Sequence, residues 1–92
     1  MKFEDIEFKQ METSRGIQAI LKFDPYELSI VKNEISYGNK YGYYEIAIFK
    51  NNKLVHLPGI NNEDGIKGFL TEDEIETIIK KLKLISFATE KV

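Results

Sequence analysis

Few residues in this chain could carry out acid–base, nucleophilic or metal chemistry. His56 is the only histidine, and the chain contains no cysteine. A metal site needs a second ligand at a suitable spacing, and a nucleophilic triad needs a serine or cysteine in a recognisable motif. Neither accompanies His56. We therefore interpret it as a structural or exposed residue in the middle of a strand, and we expect no catalytic residue, no metal site, no cofactor and no enzymatic activity.

A second candidate for metal chemistry is the polar sequence Asn-Glu-Asp-Gly at residues 62–65. In a calcium-binding loop of the EF-hand type, glycine stands at the sixth position, an aspartate at the first and a bidentate glutamate at the twelfth. Placing Gly65 at the sixth position puts Ile60 first and Thr71 twelfth, and neither side chain meets the requirement. The sequence therefore predicts a polar turn at residues 62–65.

The most unusual segment is residues 36–44, which holds four of the five tyrosines together with two glycines and one asparagine. Tyrosine provides a large contact area at a low cost in conformational entropy, and glycine and asparagine provide an adaptable backbone, as in binding loops. The alternative is a β-connection whose tyrosines pack on the rim of a sheet, and tyrosine is common where a strand begins. Both interpretations stay open, and the first assigns partner binding to Tyr37, Asn39, Lys40, Tyr41 and Tyr43.

Charged residues form clusters that have ordinary structural explanations. Acidic residues at positions 4, 5, 7 and 12 indicate a solvated strand face before they indicate a surface for a basic partner. Acidic residues 72–74 favour the positive end of a helix dipole, and Lys80, Lys81 and Lys83 are expected at its negative end. The net charge is −2 and Arg15 is the only arginine, which disfavours nucleic-acid binding because arginine is the usual residue for phosphate and guanine contacts.

The elements that position these residues are clearest at the end of the chain. Thr71 and Glu74 have the spacing of a capping box, and Leu70 and Ile75 have that of a hydrophobic staple. Isoleucine or leucine then recurs at helical spacing at positions 75, 78, 79, 82 and 85, defining one apolar face. We predict a helix over residues 72–85.

The preceding residues have the composition of strands. Residues 44–49 are β-prone and apolar on both faces, which predicts a central strand. Asn51 and Asn52 tolerate the positive φ of a tight hairpin that leads into a strand over residues 54–57. Tyr26, Leu28 and Ile30 alternate after a turn at residues 24–25, which predicts a further strand, and its continuation through Ile35 stays open.

Two segments near the N-terminus are less clearly patterned. Ile6 and Phe8 alternate with charged neighbours, which predicts a half-exposed strand. Residues 16–23 fit either a strand or a helix, and we favour a strand because residues 13–16 resemble a hairpin loop. The whole pattern predicts an α+β fold with four or five mostly antiparallel strands and a C-terminal helix packed on one face.

Bulk properties fit one domain over residues 1–92. Ninety-two residues are too few for two independent cores, and the hydrophobic fraction of 42% is too high for intrinsic disorder. We find no apolar stretch of membrane-spanning length and no basic start followed by an apolar run. We therefore expect a cytoplasmic protein without a membrane association, and the oligomeric state stays open.

From Leu28 to Ile85 the order of features includes Ser-Tyr-Gly at residues 36–38, Tyr-Glu-Ile-Ala-Ile at 44–48 and Gly-Phe-Leu-Thr-Glu-Asp-Glu-Ile at 68–75. This order resembles small accessory proteins of phages and mobile elements from AT-rich Gram-positive bacteria. The resemblance implies a phage product that binds a host protein, in some cases a defence component, and it transfers no site residue. Usage of Ile, Lys, Asn, Tyr and Phe also indicates an AT-rich genome.

Three functions compete on these observations. The favoured one is a non-catalytic protein-binding module or inhibitor that binds a host or self protein through the tyrosine-rich segment and an adjacent sheet edge. The second is a single-stranded nucleic-acid-binding protein whose tyrosines stack on bases. The third is a small enzyme, for which only His56 and dispersed carboxylates could be cited.

Overall fold

The computed structural model describes residues 2–12, 16–33 and 42–90, with the backbone alone for Asn33 and residues 87–90. A short 3-10 helix, η1, spans Phe3–Asp5. The strands are β1 (Lys9–Gln10), β2 (Gly16–Phe23), β3 (Tyr26–Asn33), β4 (Tyr44–Lys50), β5 (Lys53–Leu54) and β6 (Ile66–Leu70), and the helix α1 spans Glu72–Glu90. The predicted α+β class is confirmed.

All strand pairs of the sheet are antiparallel. The order is β1-β2-β3-β4-β5, and β6 pairs with β4 beside β5, so that β4 is central as predicted. Residues 16–23 form a strand, which confirms the favoured alternative. β2 and β3 meet at a two-residue turn that contains the cis Asp24–Pro25 bond. Asn51 and Asn52 have φ of 54° and 64°, as the hairpin between β4 and β5 requires.

The helix covers one face of the sheet and buries its predicted apolar stripe there. Ile75, Ile78, Ile79 and Leu82 are buried, and Ile85 packs against the same cluster. The strands contribute alternate residues to this core, in cross-strand rows such as Ala19, Ile30 and Ile46. Burial of the apolar helix stripe against the sheet, more than helix propensity, therefore holds α1 in place.

The helix begins as predicted but ends later. The backbone N–H of Glu74 donates to Thr71 Oγ1 at 3.2 Å, and that of Thr71 donates to Glu74 Oε1 at 3.1 Å, which confirms the capping box. The end at Glu90 corrects the predicted end at residue 85. It also corrects the placement of Lys80, Lys81 and Lys83, which lie in the middle of α1 and not at its negative end.

Replacing Thr71 with alanine removes the side-chain acceptor for the Glu74 amide. We expect the free energy of unfolding to fall by about 1 kcal/mol, as for other lost N-caps. Thr77, exposed within α1, is the matched control, and Thr77→Ala should leave stability unchanged within about 0.5 kcal/mol. Urea denaturation of the two variants checks this, and equal effects would show that the cap contributes nothing.

Two predicted strand assignments are wrong, and one strand was missed. Ile6 and Phe8 precede β1 and are packed into or against the core, because the chain crosses the covered side of the sheet before it joins the edge. β5 ends at Leu54, so residues 55–57, including His56, lie outside any strand. Strand β6 was not predicted at all. The expected extension of β3 to Ile35 and the loop at residues 13–15 lie outside the described residues.

Candidate functional site

The two faces of the sheet differ sharply. The face opposite α1, here called the open face, carries the side chains that alternate with those of the core. The register places together Ile20, Ser29, Ala47 and Ile66 in one row, with Gln18 and Val31 on one side of it and Glu27, Phe49 and Leu54 on the other. Of these only Ser29 is buried, and its hydroxyl accepts a hydrogen bond from Gln18 Nε2 at 2.9 Å.

Exposed apolar side chains occur on the open face and at its edge. The structure describes four large hydrophobic side chains as exposed; Ile20 and Leu54 lie on the open face by register, and Phe69 lies at the register shift of β6, next to the buried Leu70. A depression of about 290 Å³ lies between Ile20 and Phe49 and is bordered by Glu27 and Asn52. Single exposed apolar residues need no explanation, but a group of them on one side of a small domain marks a candidate interaction surface.

Phe69 is the most unusual of these residues. It is 58% exposed, and its φ is +58°, in the left-handed region that phenylalanine rarely occupies. An L-residue with a side chain pays about 1–2 kcal/mol for that backbone conformation. Its ring lies 6.5 Å from the ring of Tyr43 in an edge-to-face arrangement. We call this pair the Tyr43–Phe69 patch.

The backbone of β6 explains how Phe69 reaches this position. Tyr44 pairs with Leu70, and Ile46 pairs with Lys67. Between these two pairs β6 therefore has two residues where β4 has one, and the register shifts there. A bulge of this kind re-aims side chains and bends the strand. Leu70 is thereby buried in the core, while Phe69 is directed away from it.

Only one of the five predicted partner-binding residues can be placed. Tyr37, Asn39, Lys40 and Tyr41 lie outside the described residues. Tyr43 is half-buried, immediately before β4, and contacts Phe69. The sequence pointed to this end of the sheet through its tyrosines but missed Phe69 and Ile20. An exposed apolar residue in a strand has no signature in a single sequence until the strand's two faces are known.

Tyr44, the next residue, belongs to the core side and not to the patch. Its ring centroid lies 5.1 Å from that of Phe3 and 5.9 Å from that of Phe8, and Lys32 Nζ lies 5.3 Å from it. Burial of the hydroxyl, and secondarily the negative charge of Glu72, raises the pKa of Tyr44 above its ordinary value of 10.0. Tyr44 is therefore neutral at physiological pH and acts as a packing residue.

This pKa shift predicts a pH dependence at the alkaline end. Because the folded state holds the Tyr44 proton more tightly than the unfolded state, its contribution to stability is full below pH 10.0 and is lost as pH rises through the folded-state pKa. Tyr44→Phe has no such proton. We expect wild type to lose stability relative to Tyr44→Phe as the pH rises above 10.0, which urea denaturation on both sides of that pH would measure. A difference that stays constant would contradict the shift.

His56 is exposed beside a polar loop that is held by Asn61. The Asn61 side chain accepts from the Leu57 amide at 2.8 Å and donates to the Val55 carbonyl at 2.9 Å. These two hydrogen bonds satisfy backbone groups after β5 that have no strand partner. The residues that the structure describes contain no group of three or more His, Asp or Glu side chains able to hold a metal ion. Residues 62–65 form the predicted turn, with Gly65 at φ +86°.

The described part of the chain contains no helix with both the length and the apolar character needed to cross a membrane.

The fold is a small α+β domain with one covered and one open sheet face. Comparisons of the chain with protein-family models, curated proteins and solved structures gave no significant match.

Proposed function

We propose that this protein is a non-catalytic protein-binding module, acting as an inhibitor or adaptor, and that the Tyr43–Phe69 patch is part of its contact surface. The observation that carries the proposal is Phe69, a bulky apolar ring presented to solvent from a costly backbone conformation. Strained residues persist where the surrounding structure maintains them, and they are concentrated at functional sites. The ring of Phe69 is 58% exposed in this conformation, which supports a role in contact with a partner protein.

The open face supports the same proposal. Ile20 and Leu54 are exposed on it, and Phe49 lines its depression. Protein interfaces are enriched in aromatic side chains at their centres, with a polar rim. Tyr43 and Phe69 provide aromatic side chains at one end of the sheet, and Gln18, Glu27 and Asn52 are polar residues around the depression beside Ile20 and Phe49.

The resemblance to proteins of phages and mobile elements extends the proposal to the kind of partner. We propose a cytoplasmic host protein, such as a defence component, as the target. A pull-down tests the class of partner: tagged wild type and Phe69→Gly are incubated with lysate of an AT-rich Gram-positive bacterium, each with and without nuclease. Leu84→Ala is the matched control, because Leu84 is 70% exposed but lies on α1, away from the patch.

A binding module is supported by a protein retained in stoichiometric amounts by wild type and Leu84→Ala, with or without nuclease, and lost with Phe69→Gly. Equal retention by all three proteins would show that the patch is not the contact surface. Loss of the captured protein after nuclease treatment would support the alternative below.

The alternative is single-stranded nucleic-acid binding, which the exposed ring of Phe69 and the half-buried ring of Tyr43 favour because aromatic side chains stack on bases. The net charge of −2 opposes it. Nucleic-acid complexes weaken steeply with salt because phosphate contacts release counterions. We expect no complex between micromolar protein and a short oligonucleotide in near-physiological salt. A clear, salt-sensitive shift in fluorescence anisotropy would reverse the ranking of the two functions.

A further inference from the structure

The outer edge of β2 is paired along only part of its length. β1 contributes two register pairs, Lys9 with Gln18 and Gln10 with Ile17, whereas β2 continues to Phe23. Among the described residues, no strand continues past Gln18 on this side of the sheet. Residues 19–23 therefore form an open strand edge. At about 3.3 Å per residue, the edge is about 17 Å long.

One hydrogen bond shows which backbone groups point out of this edge. The Met11 amide donates to the Gly16 carbonyl at 2.9 Å, so the backbone groups of Gly16 point toward β1. In an antiparallel sheet the N–H and C=O of one residue point to the same side, and successive residues alternate. The groups of Gln18, Ile20 and Lys22 therefore point outward as well. Those of Gln18 meet Lys9, and those of Ile20 and Lys22 lie beyond the end of β1.

The space beside these groups has the form of a strand position. A depression of about 360 Å³ runs along the edge, between Glu7 and Lys9 on one side and Ala19, Ile20 and Leu21 on the other. The Ile20 side chain, 57% exposed, stands above it on the open face. A strand placed in line with β1 would meet two outward donors and two outward acceptors, and would cover Ile20.

We propose that the outer edge of β2 accepts an extended segment of a partner protein, which adds a strand to the sheet by backbone pairing with Ile20 and Lys22. The backbone of the segment supplies the complementary donors and acceptors, which is the usual basis of strand addition. The side chains of β2 determine which residues the segment should carry on the open face. We expect an apolar residue beside Ile20 and an acidic residue beside Lys22.

Charge favours a foreign segment over a second copy of this chain. Lys9 and Lys22 are exposed at the two ends of the open edge. Lysines on edge strands oppose pairing between identical edges, because the copies bring like charges together. An acidic residue beside Lys22 instead places that ammonium group between two carboxylates, since Glu27 is its register partner on β3. This site is separate from the Tyr43–Phe69 patch, and it stands whether or not the proposed function of the patch is correct.

The test uses the whole protein, labelled with nitrogen-15, and a blocked hexapeptide probe that alternates valine and threonine with one central glutamate. Peptide is added to millimolar concentration while amide shifts and hydrogen exchange are followed. We expect the largest shifts at Ile20 and Lys22, and exchange of those two amides slowed about sixfold at about 5 mM peptide, as binding to a site of about 1 mM affinity requires. Ala19 and Leu21, which pair with β3, should change little.

Two controls isolate backbone pairing. A peptide that carries N-methyl groups on alternate amides cannot pair, so it should produce no shifts. Ile20→Pro removes an outward donor but no hydrogen bond to β3, so the fold should persist while the peptide response is lost. Lys22→Pro is the second variant of the same type, and Phe69→Gly should respond to the peptide as wild type does.

Equal responses to the methylated and unmethylated peptides, or unchanged peptide binding in the proline variants, would overturn the proposal. So would the absence of amide shifts at about 5 mM peptide, which is about five times the dissociation constant of a millimolar site. Shifts of Ile20 and Lys22 that depend on protein concentration without peptide would assign the edge to a second copy and would also overturn it. Loss of the peptide response in Phe69→Gly would show that the two sites are one.

Discussion

Replacing Ile79 with alanine is expected to lower the free energy of unfolding by about 2–5 kcal/mol, as for other isoleucines removed from a packed core. Ile79 is fully buried in the cluster that α1 forms with the sheet, so the deleted atoms leave a cavity. A domain of this size is stabilised by about 5–15 kcal/mol in total, so the loss is a large fraction of its stability.

Thermal and urea denaturation measure this effect. At about 4–8 °C per kcal/mol for a domain of 60–100 residues, the melting temperature should fall by at least about 8 °C. Lys80→Ala, at the neighbouring exposed position, is the matched control and should shift stability by no more than about 0.5 kcal/mol. If Ile79→Ala were as stable as Lys80→Ala, the helix would not cover the sheet, and the distinction between covered and open faces would fail with it.

The elements that form the covered and open faces could be predicted from the sequence wherever local signals and tertiary contacts agree. Thr71 and Glu74 fix the start of α1 through their own hydrogen bonds, and the apolar period that follows is satisfied by the covered face of the sheet. The strand β4 and its hairpin at Asn51 were predicted for the same reason. Both depend on residues that are close together in the chain.

The missed elements depend on distant partners. β6 contains a glycine, a bulge and a phenylalanine at positive φ, so it has weak intrinsic strand character, and pairing with β4 makes it a strand. β5 was predicted too long because the alternating Val55 and Leu57 pack against the core while Asn61 satisfies the backbone around them. At the N-terminus, Ile6 and Phe8 alternate with charged residues because both pack into or against the core, although neither lies in a strand.

The sequence-based candidate site and the structure meet at a single residue. Tyrosine content directed attention to residues 37–43, and of the predicted residues there Tyr43 contacts the exposed ring of Phe69, while the site itself stays a prediction. The positive φ of Phe69 had no sequence signal, because glycine or asparagine is the residue expected there. The proposed contact surface therefore combines Tyr43, which the tyrosine-rich composition of its segment indicated, with Phe69, whose backbone conformation no feature of the sequence indicated.

Phe69→Gly separates the two explanations for that residue. If the ring serves a partner, we expect affinity for a protein captured by wild type to fall by about 2 kcal/mol or more, roughly 30-fold, as at an aromatic hot spot. Stability should stay within about 1 kcal/mol, because glycine relieves the backbone strain while the unfolded chain gains freedom and the Tyr43 contact is lost.

A comparison with Phe69→Ala tests the strain independently of any partner. Alanine removes the ring but keeps the costly backbone conformation, so Phe69→Ala should be less stable than Phe69→Gly by about 1 kcal/mol. Both melts and binding titrations are made on the same preparations, with Leu84→Ala as the exposed apolar control. If Phe69→Gly lowered stability and left the affinity of the folded protein unchanged, the ring would be a packing residue of the sheet rim, and the Tyr43–Phe69 patch would have no part in binding.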